Sequence, residues 1–135
     1  MDSSAAPRPF HWPRPRALLL DAMGTLIGLR ASVGTTYAAV AAEHGLQLDP
    51  NALNQAFREV YRAAPPLAFP GLVGAQLEQA ERDWWSQRIA AVLRTVGDEG
   101  GGPPELHRQL FDLYADPHLW LVYDEVPRAL ARWRD

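Results

Sequence analysis

The amino-acid sequence predicts a mostly α-helical chain with one core strand of an α/β sheet at its front. Three observations carry that expectation. An unbroken apolar run, Ala-Leu-Leu-Leu at 17–20, leads into Asp21-Ala22-Met23-Gly24-Thr25-Leu26, and a short continuous run of this kind suits a strand buried on both faces of a parallel sheet. Four later stretches repeat apolar residues at three- and four-residue intervals, the period of an amphipathic helix. Clusters of Pro and Gly separate those stretches as connections would.

Residues 1–15 are rich in Pro, Ser, Ala and Arg, show no helical or strand period and read as a flexible leader. Residues 16–30 hold the strand and the loop after it. Gly24 permits a backbone conformation closed to residues with a side chain, and Thr25 offers a hydroxyl and an N–H to whatever Asp21 faces. Ligands of open α/β sheets bind beyond the carboxyl ends of the strands, where Asp21 would lie. Over 31–44, Val33, Tyr37, Val40 and Ala41 fall at helical spacing, and Gly45 is placed to end the helix left-handed. Asp49 as N-cap and Pro50 at the first helical position start a second helix, whose stripe is Leu53, Ala56, Phe57, Val60, Tyr61 and Ala64 and whose end lies near Pro65-Pro66.

Past a Pro- and Gly-rich join over 65–74, the longest helix carries Leu77, Ala80, Trp84, Trp85, Ile89, Val92, Leu93 and Val96 before Gly97. A second flexible join leads to a fourth helix bearing Leu106, Leu110, Leu113 and Tyr114. Four amphipathic helices with short connections make a bundle over 31–117. Residues 118–135 read as an extended apolar return segment and a last helix capped by Asp124, with Pro127 tolerated in its first turn.

A length of 135 residues suffices for one small domain with a sizeable core. Hydrophobic residues at 47% and charged residues at 21% argue against a disordered chain. The net charge of −3 gives no reason to expect nucleic acid or an anionic membrane as partner. The apolar run at 17–20 is too short for a signal-peptide core or a membrane span, so a cytoplasmic location is expected. Arg8, Arg14 and Arg16, with no acid in the leader after Asp2, leave an organelle transit peptide as the alternative. The absence of Cys excludes disulfides, thiolate metal sites and a cysteine nucleophile. All thirteen basic side chains are Arg; there is no Lys.

The stretch Leu18-Leu19-Leu20-Asp21-Ala22-Met23-Gly24-Thr25-Leu26 resembles the first motif of the haloacid dehalogenase-like (HAD) hydrolase superfamily, a hydrophobic strand ending in Asp-x-x-Gly-Thr-Leu. The helices that follow, with Trp84-Trp85 in the longest, resemble the helical cap of a eukaryote-type subgroup. This resemblance implies an α/β Rossmann-like core carrying a cap, with Asp21 as the nucleophile that forms a covalent aspartyl intermediate. It implies that Gly24 and Thr25 shape the anion site. It also implies Mg2+ held by the Asp21 carboxylate and the backbone carbonyl of Met23, oxygen ligation that suits this ion.

Two departures from the family pattern limit those implications. Met23 stands where the phosphatases have a second Asp as general acid and base and the dehalogenases a Tyr, and a thioether transfers no protons. The third-motif Lys has no counterpart, and the second-motif Ser or Thr and the final acids would lie beyond residue 135. The expectation is thus a phosphatase- or dehalogenase-like hydrolase truncated before motifs II to IV, inactive alone, binding Mg2+ weakly or not at all. A small-molecule substrate is expected if a core domain completes it. The alternative is a non-catalytic helical interaction module derived from the cap, whose uncovered apolar faces favour self-association.

Blander readings stand beside these. Asp21 can cap an ordinary turn. His11, His44, His107 and His118 lack metal-ligand spacing and read as surface or helix-end residues. Glu78, Glu81 and Asp83, like Asp112, Asp116, Asp124 and Glu125, read as charges on solvated helix faces or ends. Trp84 and Trp85 cannot both face inward on one narrow stripe; one packs in the bundle and the other lies at its edge.

Overall fold

The structure is a computed structural model that describes residues 17–134. The predicted leader over 1–15 lies outside the described residues. Five helices are formed: α1 (Val33–Glu43), α2 (Pro50–Arg62), α3 (Gly74–Thr95), α4 (Pro104–Leu113) and α5 (Val126–Arg134). Two three-residue strands, β1 (Ile27–Leu29) and β2 (Trp120–Val122), pair antiparallel with Gly28 opposite Leu121. The ribbon is extended by Arg30 N–H donating to the Leu119 carbonyl (2.9 Å) and Tyr123 N–H to that of Leu26 (3.2 Å).

Helix ends follow the residues that predicted them. Asp49 is the N-cap of α2, its Oδ2 accepting from Ala52 N–H at 2.9 Å, with Pro50 in the first turn. Ser32 caps α1 by accepting from Thr35 N–H at 3.1 Å. Beyond α1 and α3, Gly45 and Gly97 adopt φ of +79° and +103°, which frees Leu46 and Asp98 to donate back to Ala41 and Leu93. The residue before α5 is Glu125, not the expected Asp124, and Pro127 sits in the first turn as foreseen.

One core joins α1 to α4. Tyr37, Val40 and Ala41 of α1 meet Leu53 and Ala56 of α2, Ile89, Val92 and Leu93 of α3, and Leu106 and Leu110 of α4. Each is an apolar position of its helix's stripe, so the 3.6-residue period alone accounts for the burial. Helices α1 and α2 approach closely at Gly34, whose N–H donates to Asn54 Oδ1 at 2.7 Å while Asn54 Nδ2 donates to Ser32 Oγ at 2.9 Å. Trp84 is buried and its indole N–H donates to the Pro65 carbonyl at 3.1 Å, whereas Trp85 is half-buried. The division expected of that pair is therefore realised.

His44 is at a helix end as expected, the C-cap of α1, but it and His107 also bond to other elements. His107 on α4 meets Ser86 Oγ of α3 at 2.8 Å through Nδ1 and the Gly101 carbonyl at 2.6 Å through Nε2. Beyond the C-terminus of α1, His44 Nε2 meets Gln109 Oε1 at 2.9 Å, and Gln109 Nε2 donates to Glu43 at 2.6 Å. Both tie helices together through side chains that sequence spacing does not pair.

The strand expected at 17–20 does not form. Ala17 to Leu20 have no ladder partner, and Leu18, Leu19 and Leu20 are exposed, Leu19 completely. A strand apolar on both faces needs neighbouring strands for its N–H and C=O groups and helices over its faces. Among the described residues the sheet is only the β1–β2 pair, which begins after the motif. The described chain is thus mostly helical with a small two-stranded sheet.

Candidate functional site

The loop at Asp21 is built by its own backbone. The Ala22 carbonyl accepts from Leu26 N–H at 2.8 Å and Ile27 N–H at 3.0 Å, and Gly24 N–H donates to the Ile27 carbonyl at 2.8 Å. Such a tight return needs one residue in the left-handed region, and Gly24 supplies it with φ of +79°. These bonds use the groups on either side of Met23, so the Met23 carbonyl takes no part in them.

Within this loop, Thr25 Oγ1 donates to Asp21 Oδ2 at 3.0 Å. The hydroxyl fixes one carboxylate oxygen and leaves the other lone pairs of Asp21 open to solvent, because the residue is exposed. Asp21, Gly24 and Thr25, singled out by sequence, are therefore brought together on one turn. Among the described residues no Arg or His forms an ion pair with Asp21. An anionic substrate would meet an uncompensated negative charge.

The residues present do not make a metal centre. Among the described residues no three His, Asp or Glu side chains converge, so a cation at Asp21 would have one carboxylate and at most the Met23 carbonyl. Mg2+ demands octahedral oxygen ligation and is usually held by one or two carboxylates with further help from substrate phosphates and water.

Met23 also forms part of a cavity of about 320 Å³ that runs into the bundle. Its walls include Val33 and Tyr37 of α1, Phe57 of α2, Trp85 and Ile89 of α3, and Leu110 of α4. Phe111, Tyr114, Ala115 and Trp120 close it from the fourth helix to β2. Among the described residues no charged side chain lines it. The Trp120 indole N–H donates to the Tyr114 carbonyl at 3.0 Å, which locks the return strand against the end of α4. Sequence reasoning missed Phe111 and Trp120 as lining residues; the aromatic density from Phe111 through Tyr114 to Trp120 was the signal available.

Two phenols in these walls are perturbed. Burial pushes the Tyr37 hydroxyl well above its ordinary pKa, and the neighbouring Tyr114 adds to the shift. Burial also raises Tyr114, with the Thr36 side chain opposing. The Tyr114 oxygen is nevertheless enclosed without a hydrogen bond of good geometry. Both phenols are thus held neutral, as hydrogen-bonding groups and not as bases.

Outside the cavity, Arg82 links α3 to α4 through Asp112 at 2.8 Å, pairs with Glu78 at 3.2 Å and lies 4.5 Å over the Phe111 ring. Of the acids read as solvated charges, Glu78, Asp83, Asp112, Asp124 and Glu125 are exposed, whereas Glu81 and Asp116 are half-buried and Asp116 Oδ1 accepts from His118 N–H at 2.8 Å. None of the described helices is long and apolar enough to cross a membrane.

No protein-family model matches the chain. It is similar to haloacid dehalogenase-like hydrolase domain-containing protein 3 of Homo sapiens, with 32% identity over 125 residues. The proteins of that name from Mus musculus and Bos taurus are 31% and 30% identical over 121 residues each. These alignments cover 92%, 89% and 89% of this chain but 49%, 47% and 47% of the relatives. The chain therefore spans about half the length of the curated relatives it matches. With an Asp-x-x-Gly-Thr-Leu turn at its front and a helical bundle behind it, the chain resembles the haloacid dehalogenase-like hydrolases over 92% of its length.

Proposed function

We propose that this chain supplies the nucleophile loop and the cap of a haloacid dehalogenase-like hydrolase. The observation that supports the reading most is the 3.0 Å hydrogen bond from Thr25 to Asp21 on a turn whose next residue, Met23, borders an apolar cavity. In the proposed reaction an Asp21 oxygen attacks the electrophilic phosphorus or carbon of a small organic substrate and the leaving group departs with its electron pair. Water then hydrolyses the aspartyl intermediate and regenerates the carboxylate. Gly24 and Thr25 shape the turn, Thr25 holding Asp21 in one orientation. Residues 16–30 belong in this reading to an α/β core, 31–117 to the cap, and 118–135 return to the core.

The chain offers no Lys to neutralise an anion and no acid or base at Met23, and its described residues hold no carboxylate cluster for a cation. Those roles fall to residues outside this sequence, Mg2+ binding included, and the chain alone is proposed to be inactive. We place the protein in the cytoplasm, with a small molecule as its partner. The test is turnover of a panel of phosphate esters and 2-haloacids with Mg2+, by the chain and by Asp21→Asn. Turnover by the chain that disappears in Asp21→Asn overturns the proposed inactivity; equal, background rates support it.

A second reading, a non-catalytic interaction module, is favoured by one observation. Leu130 and Trp133 of α5, like Leu18 and Leu19, are exposed apolar side chains. Sedimentation at several concentrations separates the two, because a monomer at all of them counts against self-association.

A further inference from the structure

We infer that the cavity behind Met23 is a binding site for an uncharged fused-ring group, and that it seats the organic part of the substrate while the reactive end stays at the mouth. The second half of this inference rests on the function proposed above; the first half does not. Size comes first: an apolar cavity of about 150 Å³ takes one benzene-sized ring, and this one measures about 320 Å³. Two fused rings fill that space where a single ring leaves half of it empty. Polarity comes second, since among the described residues no charged side chain lines the walls and burying an unpaired charge there would be prohibitive. Six aromatic side chains, Tyr37, Phe57, Trp85, Phe111, Tyr114 and Trp120, supply ring faces and edges for a flat partner.

The volume of about 320 Å³ is that of a small molecule. Tyr37, Ile89 and Leu110 are only 2%, 2% and 1% exposed, so the occupant rests mainly on the half-buried Phe57, Trp85, Phe111 and Trp120. Among the lining residues, Met23 and Ala115 are the exposed ones and mark the mouth. Met23 is two residues from Asp21, so a ring inserted here presents its substituent to the nucleophile turn.

The experiment is calorimetric titration of the chain with 2-naphthol and with phenol, repeated on Ala115→Trp. One-site binding of 2-naphthol at least tenfold tighter than phenol is expected. Ala115→Trp, at an exposed position where an indole narrows the mouth, is expected to weaken it at least tenfold with unchanged circular dichroism. Absence of saturable binding, equal affinity in Ala115→Trp, or displacement of 2-naphthol by dimerisation of the chain overturns the inference. Because no arm requires turnover, an inactive chain that binds 2-naphthol leaves this site standing and bears only on the catalytic reading.

Discussion

Replacement of Gly34 by Ala is expected to destabilise the bundle, against the general preference of helices for Ala. In an exposed helix the change would stabilise by about 0.5–1 kcal/mol, because Gly loses more backbone freedom on folding. Here a Cβ would run into the Pro50 carbonyl oxygen and lie 2.7 Å from Asn54 Cγ and 2.8 Å from Asn54 N. Two of those three atoms are backbone of α2, so the helix as a whole must retreat. Overpacking of this kind costs about 1–3 kcal/mol. Retreat also stretches the 2.7 Å bond from Gly34 N–H to Asn54 and the 2.9 Å bond from Asn54 to Ser32, each contributing about 1 kcal/mol. After subtracting the propensity gain, a net loss of about 2–4.5 kcal/mol remains. Urea unfolding followed by circular dichroism reads this as a midpoint lowered by about 1–2 M, given slopes of about 1–3 kcal/mol/M. Gly28→Ala is the matched control: its nearest obstacle is the Tyr123 hydroxyl at 2.8 Å, the far end of a side chain that can swing away, so a loss below about 1 kcal/mol is expected. A Gly34→Ala midpoint equal to or above that of the unaltered chain would refute the close-approach reasoning.

Asp49→Ala removes the acceptor for Ala52 N–H and should cost about 1 kcal/mol in the same assay. His107→Ala leaves Ser86 and the Gly101 carbonyl without their partner, for a loss of about 1–3 kcal/mol, and a stability equal to the parent's would deny the histidine its linking role. Thr25→Val deletes the bond to Asp21 between two exposed side chains, so stability should stay within about 0.5 kcal/mol; a larger drop would make the turn part of the bundle's foundation. The phenols set an alkaline limit. Burial raises Tyr37 and Tyr114 in the folded state, so the unfolded chain loses these protons first. Stability is unaffected by them below the ordinary tyrosine pKa of about 10 and falls above it, by at most about 1.4 kcal/mol per pH unit for each phenol. Urea midpoints between pH 8 and 11 check this, and Tyr37→Phe should flatten the decline.

The four bundle helices were legible because each carries its own period and its own punctuation. Asp49-Pro50 and the glycines at 45 and 97 act through local backbone chemistry, which needs no knowledge of the rest of the fold. Contacts between elements were not legible. Asn54 bonding to Gly34, and Ser86 meeting His107 near Gly101, join residues 20 and 21 positions apart, and nothing in either helix's periodicity specifies its partner. The candidate site divides the same way. The turn at Asp21, Gly24 and Thr25 is local and was read from six consecutive residues, whereas the cavity draws its walls from four helices and both strands.

The failed strand at 17–20 carries the opposite lesson to the bundle. Leu53, Leu93, Leu106 and Leu110 are buried by partners that this sequence itself contains, so their helices close a core among themselves. Leu18, Leu19 and Leu20 are as apolar, yet 50%, 100% and 41% exposed, because a strand cannot satisfy its own backbone as a helix does. Its hydrogen bonds must come from other strands, and the β1–β2 pair, with Gly28 opposite Leu121, does not reach it. The turn survives without the strand, since its bonds run among Ala22, Gly24, Leu26 and Ile27. Asp21 therefore keeps its hydrogen bond to Thr25 while the segment leading to it has nothing to brace against. If the α/β reading is right, adding strands that pair with 17–20 should bury the three leucines without altering the turn, and amide exchange at Leu19 and Leu20 would slow while that at Leu26 and Ile27 stayed the same.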